Sequence, residues 1–359
     1  MSESDEIVTA FIIGDPHFIQ KNLHGGIKFI SKVIEAAREK QPTFIVVLGD
    51  ILDKHDVGEQ QAFNLSLKFF KGLCQIAPVY ILIGNHDYLN NKQFLTEEHW
   101  FNGLKEWSAE KVGHEPIIVD KAIYAEYGDC CFAFCPYVEP GRFVEALDTL
   151  IEYEGATWDI VDCIFAHQEF KGCKMGAKIS TEGDEWNKDF PPVISGHIHN
   201  SQEIGGNIFY TGSSVQHAFG ESPNKKVWFV TFDDLDEPPY FSVEKIRLHL
   251  KGKKIITMHV KDIEKFDLKT LRKYQIKLTL KGSSEEFGVF KKSDAFTKLN
   301  QNGVKIAYAR INDITRDSLG KRSREQASFL GVLSDIIKMK TKPAQEAYQQ
   351  VVGNVDVLS

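Results

Sequence analysis

The chain has 359 residues, is 42% hydrophobic and 26% charged, and carries a formal net charge of −7. Such a chain is globular, long enough for two or three domains, and neither fibrous nor disordered. No stretch approaches the roughly 20 consecutive apolar residues of a membrane helix. The acidic start, Met1-Ser2-Glu3-Ser4-Asp5-Glu6, lacks the basic flank of a signal peptide, so the expected setting is the cytosol, or a nucleus if the host has one.

Taken in chain order, residues 7–13 read as a buried strand. Residues 25–40 read as a helix, with Ile27, Ile30, Ile34 and Ala37 at helical spacing. A strand at 43–48, a helix at 59–75 and a strand at 79–83 follow. That alternation implies parallel strands joined by crossovers. Further strand-like runs lie at 117–119, 123–127, 130–137, 160–166, 193–195, 207–211 and 227–232, interrupted by a helix at 142–153. The six cysteines make no C-x-x-C pair, and Cys130, Cys131 and Cys135 read as free thiols of a buried strand rather than zinc ligands. The sum for residues 1–235 is an α/β unit, a two-layered β core flanked by helices.

Composition shifts after Phe232. The segment Asp233-Asp234-Leu235-Asp236-Glu237-Pro238-Pro239 reads as a linker. Strand signals at 241–250, 254–260, 274–280 and 305–310, with a short helix at 292–300, read as a small α+β domain over 240–315. From Ser323 a capping box with Gln326 opens a helix whose stripe is Leu330, Leu333, Ile336 and Ile337, and a second short helix restarts after Lys342. Residues 320–359 thus read as a linker and helical pair. Residues 1–240 balance at −18 and residues 241–342 at +13. An acidic front suits multivalent cations and a basic back suits a polyanion, although solvated faces would look the same.

Chemistry-bearing residues recur at strand ends: Gly14-Asp15-Pro16-His17, Gly49-Asp50-Ile51-Leu52-Asp53, Gly84-Asn85-His86-Asp87, Ala166-His167 and Gly196-His197-Ile198-His199. Ligands of open α/β sheets bind beyond the carboxyl ends of the strands, so these five ends deliver five His, four Asp and an Asn to one place, of which four His, two Asp and the Asn are the metal-ligand candidates. Any one of these pieces is weak; all five in this order are not. Imidazole with carboxylate favours manganese, iron or zinc over calcium. Asp50 is the natural bridge of a two-metal site suited to in-line displacement at phosphorus.

The ordered set resembles the calcineurin-like metallophosphoesterase superfamily over residues 7–232. The resemblance implies that Asp15, His17, Asp50 and His199 hold one ion and that Asp50, Asn85, His167 and His197 hold the other. It implies two divalent ions, manganese first, with magnesium, iron or zinc as alternatives. His86 would face the phosphate without binding metal, Asp87 would orient it by hydrogen bonding, and Asp53 would support the ligands. Within the superfamily the layout looks most like the SbcD-type DNA-repair nuclease subunit, the counterpart of the meiotic-recombination nuclease. That likeness implies a DNA substrate, a homodimer, and helices docking on the coiled-coil base of an SbcC-type ABC ATPase. In the basic back, Lys251, Lys253 and Lys254 are the expected DNA contacts. The alternative is a stand-alone phosphatase or small-molecule phosphodiesterase of the same superfamily; a non-catalytic clamp is disfavoured, because every expected ligand position is occupied and His86 is present. The sequence reads His55 more readily as an exposed loop residue than as a substrate contact, leaves open whether His217 lines the cleft, and leaves Lys171, Lys174 and Lys178 as either a solvated loop or a phosphate contact.

Overall fold

The computed structural model describes residues 7–55, 58–153, 155–232 and 241–311. In chain order the elements are β1 (Val8–Ile13), α1 (Leu23–Lys40), β2 (Phe44–Val47), α2 (Gln60–Leu73), β3 (Val79–Leu82), α3 (Ala109–Val112), β4 (Pro116–Val119), β5 (Ile123–Tyr127), β6 (Cys130–Cys135) and α4 (Phe143–Tyr153). They continue with β7 (Cys163–Ala166), β8 (Lys174–Met175), β9 (Lys178–Ile179), β10 (Val193–Ser195), β11 (Gln202–Ile204), β12 (Ile208–Tyr210), β13 (Val227–Phe232) and β14 (Phe241–Ile246). The last are β15 (Gly252–His259), β16 (Tyr274–Gly282), α5 (Ser284–Phe290), α6 (Asp294–Gln301) and β17 (Lys305–Arg310).

Two six-stranded sheets carry the larger unit, ordered β14-β13-β1-β2-β3-β4 and β11-β12-β10-β7-β6-β5. Strands β1 to β4 are mutually parallel, as are β6, β7, β10 and β12, while β13, β14, β5 and β11 run antiparallel to their neighbours. The Val/Ile/Phe runs of β1, β2 and β3 bury both faces, the usual signature of a parallel sheet covered on each side. Between the sheets lies an aromatic layer, in which Tyr80 stacks on Phe134 at 3.9 Å and Phe134 on Phe165 at 5.1 Å. Helices α1 and α2 cover the other face of the first sheet, and α4 covers the other face of the second.

Two sequence expectations shift. The buried face of α1 is Phe29, Ile30, Val33 and Ala37, while Ile27 is 57% exposed. The aromatic trio Phe18, Phe29 and Phe69 decides this rotation of the helix, because its rings pack at 5.5–6.0 Å between α1 and α2, Phe18 edge-on to Phe69 and the other two pairs tilted. Second, β14 belongs to the first sheet rather than to the smaller domain. It pairs with β13 over six residues, and Phe241 packs on Phe209 and Phe232. The smaller unit is a parallel sheet, β15-β16-β17, with α5 and α6 over a core of Ile276, Leu278, Leu280, Phe287, Phe290 and Leu299. No described helix is long and apolar enough to cross a membrane. The linker at 233–239 and the helical segment with Leu330, Leu333, Ile336 and Ile337 lie outside the described residues.

Candidate metal centre

The ends of β1, β2 and β3 in one sheet and of β7 and β10 in the other converge on one point. Asp15 and His17 follow β1, Asp50 follows β2, Asn85 to Asp87 form a single turn after β3, and His167, His197 and His199 follow β7 and β10. Seven described non-glycine residues have positive φ, and four of them are here: Asp15, His17, Asp50 and His197. Such backbone is costly and survives only where its surroundings over-determine it. Here the restraints are bonds donated by main-chain N–H groups: His17 N–H to Asp50 O (3.0 Å), His86 N–H to the Asp50 carboxylate Oδ1 (2.9 Å) and His197 N–H to the Asp15 carboxylate Oδ1 (3.0 Å). Gly84 is required by space, since a Cβ there would lie 2.2 Å from Asp50 N and 2.3 Å from Asp50 Oδ1.

Two ligand groups overlap on Asp50. One comprises His17, Asp50 and His86, the other Asp50, His167 and His197, and the donor atoms within each lie within 4.8 Å of one another. Hydrogen bonds set the tautomers. A carbonyl can only accept, so His167 Nδ1 donates to Leu48 O (2.5 Å). This leaves Nε2 for the cluster, 3.3 Å from Asp50 Oδ1 and 3.2 Å from Asn85 Oδ1. His199 Nδ1 faces Glu221 Oε1 (3.2 Å), which turns its Nε2 toward His17 Nε2 at 3.1 Å. His17 Nδ1 and Asp15 Oδ2 are buried without a hydrogen-bond partner. Facing imidazole nitrogens, with a buried carboxylate oxygen of the same strand-end cluster lacking a hydrogen-bond partner, fit a cation. The donor set of His, Asp and Asn therefore suits divalent metal.

Burial and charge act in opposite directions. Burial would raise Asp50, but His167, His17 and His86 hold it well below the usual carboxylate range. Burial would lower His167, but the Asp50 and Asp15 carboxylates carry it up to about 9. Burial and then the neighbouring His217 hold His17 well below its ordinary value, which keeps its ring neutral. Asp15 is raised, by burial first, with His167 opposing and Asp50 adding to it.

His86 points into the site, its Nε2 4.0 Å from Asp50 Oδ2. The expectation for Asp87 is corrected here. Its carboxylate does not bond the His86 ring but accepts main-chain N–H groups of Ile51, Leu52 and Gly84 at 3.0–3.3 Å. It thereby clamps the β2 and β3 loops together. Burial and then the Asp50 charge push Asp87 up to about 8, with those N–H groups opposing. The His86 ring is oriented by Asp53, whose carbonyl accepts from Nδ1 (2.9 Å), and by His55, stacked on it at 4.5 Å. The Asp53 carboxylate also lies 3.8 Å from His17 Nδ1.

The sequence missed Glu221, and its sequence spacing carried no signal for it. His217 joins the cleft wall, its Nε2 donating to Asp15 O (2.9 Å) and its ring 4.6 Å from His17. Burial first, then the charge of His199, push His217 down to about 3. Lys251 and Lys254 are exposed, Lys254 lying over the Tyr274 ring. Lys253 is half-buried and donates to His217 O, so it braces the 217 loop rather than facing solvent. Lys171 pairs with Glu185, while Lys174 and Lys178 stand exposed on the β8–β9 hairpin.

The sequence model of the calcineurin-like phosphoesterases matches residues 9–230, a span that holds every ligand candidate. The chain belongs to the calcineurin-like phosphoesterase family. It is thus a phosphoesterase, a hydrolase of a family that is typically dimetal-dependent. Two viral relatives align with this phosphoesterase. One, named "Putative phosphoesterase 244L", of Invertebrate iridescent virus 6, is 42% identical over 281 residues, covering 78% of this chain and 96% of that one. The other, named "Putative phosphoesterase 078R", of Invertebrate iridescent virus 3, is 38% identical over 338 residues, covering 94% of each. Among solved structures, TT1561 of Thermus thermophilus aligns over 67% of this phosphoesterase and 99% of that chain, at 11% identity and TM-score 0.43.

Proposed function

We propose that this phosphoesterase is a manganese-dependent DNA phosphodiesterase of the SbcD type, working as a homodimer with an SbcC-type ATPase. The observation that supports the chemistry is the sharing of one carboxylate, Asp50, between two ligand groups, one of which includes His86. Asp15, His17, Asp50 and His199 would hold one ion, and Asp50, Asn85, His167 and His197 the other. Bound divalent ions supply charge stabilisation at a phosphoryl group undergoing in-line displacement. His86 does the proton work. Its Nδ1–H is committed to Asp53 O, so Nε2 is the nitrogen that serves the departing sugar oxygen. Its ring is fixed between the Asp53 carbonyl and the His55 face, so little rotamer freedom is lost on reaction.

The DNA part of the reading rests on charge. Residues 241–342 balance at +13 after an acidic stretch at −18, and a basic segment following a phosphoesterase unit suits a polyanion. The direct contacts narrow to Lys251 and Lys254, because Lys253 is engaged with His217 O. The stripe Leu330, Leu333, Ile336 and Ile337 would be the ATPase-docking face. The test is hydrolysis by the purified chain with manganese, on a phosphodiester dye, a monoester dye and DNA ends. Activity on the diester and on DNA, with charge reversal at Lys251 and Lys254 flattening the salt dependence of DNA binding by about one unit per lost contact, supports the reading. Monoester activity alone overturns it in favour of a stand-alone phosphatase.

A further inference from the structure

The loop between β12 and β13 is stitched to the metal centre through one carboxylate. Glu221 Oε1 lies 3.2 Å from His199 Nδ1, and Glu221 Oε2 accepts the His217 main-chain N–H at 2.9 Å. His217 in turn reaches Asp15 O. Glu221 therefore touches the loop that carries His199 and, through His217, the loop that carries Asp15 and His17. The carboxylate is itself held. Lys225 Nζ lies 3.2 Å from Glu221 Oε2 and donates at 2.7 Å both to His199 O and to Ser213 Oγ. The Lys225 side chain is only 9% exposed. Its neighbours are two carbonyl or hydroxyl oxygens and one carboxylate, and a cation buried to this degree is retained where it is paired.

This is more than loop packing, because of what it does to one ring. A carboxylate at Nδ1 leaves the proton on Nδ1 and presents the Nε2 lone pair, and outer carboxylate partners of this kind fix the orientation and basicity of ligating histidines. His199 Nε2 is the atom that faces His17 Nε2. No other described side chain contacts His199 Nδ1.

We infer that Glu221 is the positioning residue of His199, aimed by Lys225, and that the pair sets the affinity of the ion held with His17 while leaving the ion held with His167 alone. The inference rests on the two-metal reading given above. It makes the two sites unequal in their support: His167 is oriented by a main-chain carbonyl, and His199 by a side chain that substitution can remove.

The test is titration of the full chain with manganese alone, counting free and bound ions by electron paramagnetic resonance, for the wild type, Glu221→Ala, Glu221→Gln and Lys225→Met. The expected result is two ions per wild-type chain and a loss of about 10- to 100-fold in affinity for one of them in Glu221→Ala. The second ion should bind as in the wild type. Glu221→Gln keeps an acceptor oxygen and should fall between, as should Lys225→Met. Two ions at wild-type affinity in Glu221→Ala overturn the inference and leave the two-metal reading standing. A wild type that binds no second ion overturns both. A nitrogen-15 spectrum of the metal-free wild type, assigned by loss of a signal in His199→Asn, covers the case in which Glu221→Ala does not fold. A ring protonated on Nδ1 supports the inference, and one protonated only on Nε2 overturns it.

Discussion

Gly84→Ala tests the geometry of the centre with a single methyl group. Residue 84 has φ −84° and ψ 172°, backbone that alanine adopts freely, so any cost is one of space. The new Cβ would lie 2.2 Å from Asp50 N, 2.3 Å from Asp50 Oδ1 and 2.9 Å from His167 Cε1, where ordinary contact begins at 3.4 Å. Relief therefore needs roughly 1 Å of movement. The nearest obstacle is main chain, which cannot rotate aside as a side-chain tip could. Overpacking of this kind costs about 1–3 kcal/mol, equivalent to roughly 2–12 °C in melting temperature for a unit of this size. The functional cost is larger in proportion. A misplacement of about 1 Å at the reacting groups costs on the order of 10² in rate, and here it falls on the carboxylate shared by both ligand groups. The assay is manganese-dependent hydrolysis of a phosphodiester dye, with metal content and melting temperature measured on the same sample. Gly103→Ala is the control, since nothing lies within 4 Å of its added Cβ. A folded Gly84→Ala chain with the rate and metal content of the Gly103→Ala control would refute the claim that close packing of the β3 turn against Asp50 sets this centre.

Asp50→Ala should abolish dye hydrolysis and lower metal content at both sites together, because both ligand groups contain it; a variant that keeps either ion tightly would remove Asp50 as a bridge. His86→Asn should retain both ions and lose about 10² or more in turnover, the range for a lost general acid; loss of an ion would instead make His86 a ligand, as its place beside His17 and Asp50 allows. Away from the centre, Asp120 is buried against His99 Nε2 (3.1 Å) and Lys105 Nζ (2.6 Å). Burial would raise Asp120, but these two partners hold its carboxyl below the ordinary value of 3.8. Its stabilisation is therefore complete above that value and is lost as pH falls through the lower, folded-state one. Asp120→Asn should cost about 1.5–3 kcal/mol at neutral pH, and denaturant melts should show that penalty shrinking below pH 3.8; a penalty unchanged by acid would mean packing, not charge, is at work.

The metal-ligand candidates were legible in the sequence because their chemistry is written locally. Each sits within a few residues of a strand end, so a buried strand followed by Gly-Asp, Gly-Asn-His-Asp or Gly-His-x-His carries both the position and the donor type. The strand–helix alternation was legible for the same reason: apolar periodicity is a short-range property. What depended on side chains meeting across the fold was not legible. The face of α1 was decided by Phe18 and Phe69, which come from other elements. Membership of β14 was decided by its register with β13, across a linker that reads as a boundary. Asp87 stands beside His86 in the chain yet turns to the Ile51, Leu52 and Gly84 main chain, because three N–H groups there await an acceptor. Lys253 looks like its neighbours Lys251 and Lys254 in sequence, and only the course of the β12–β13 loop brings the His217 carbonyl to it. Glu221 is one acid among 50 Asp and Glu, and only the course of the β12–β13 loop brings it to His199. Local pattern names the donors, whereas hydrogen-bond partners, tautomers and supporting charges belong to tertiary contact, because they need two distant segments at one place.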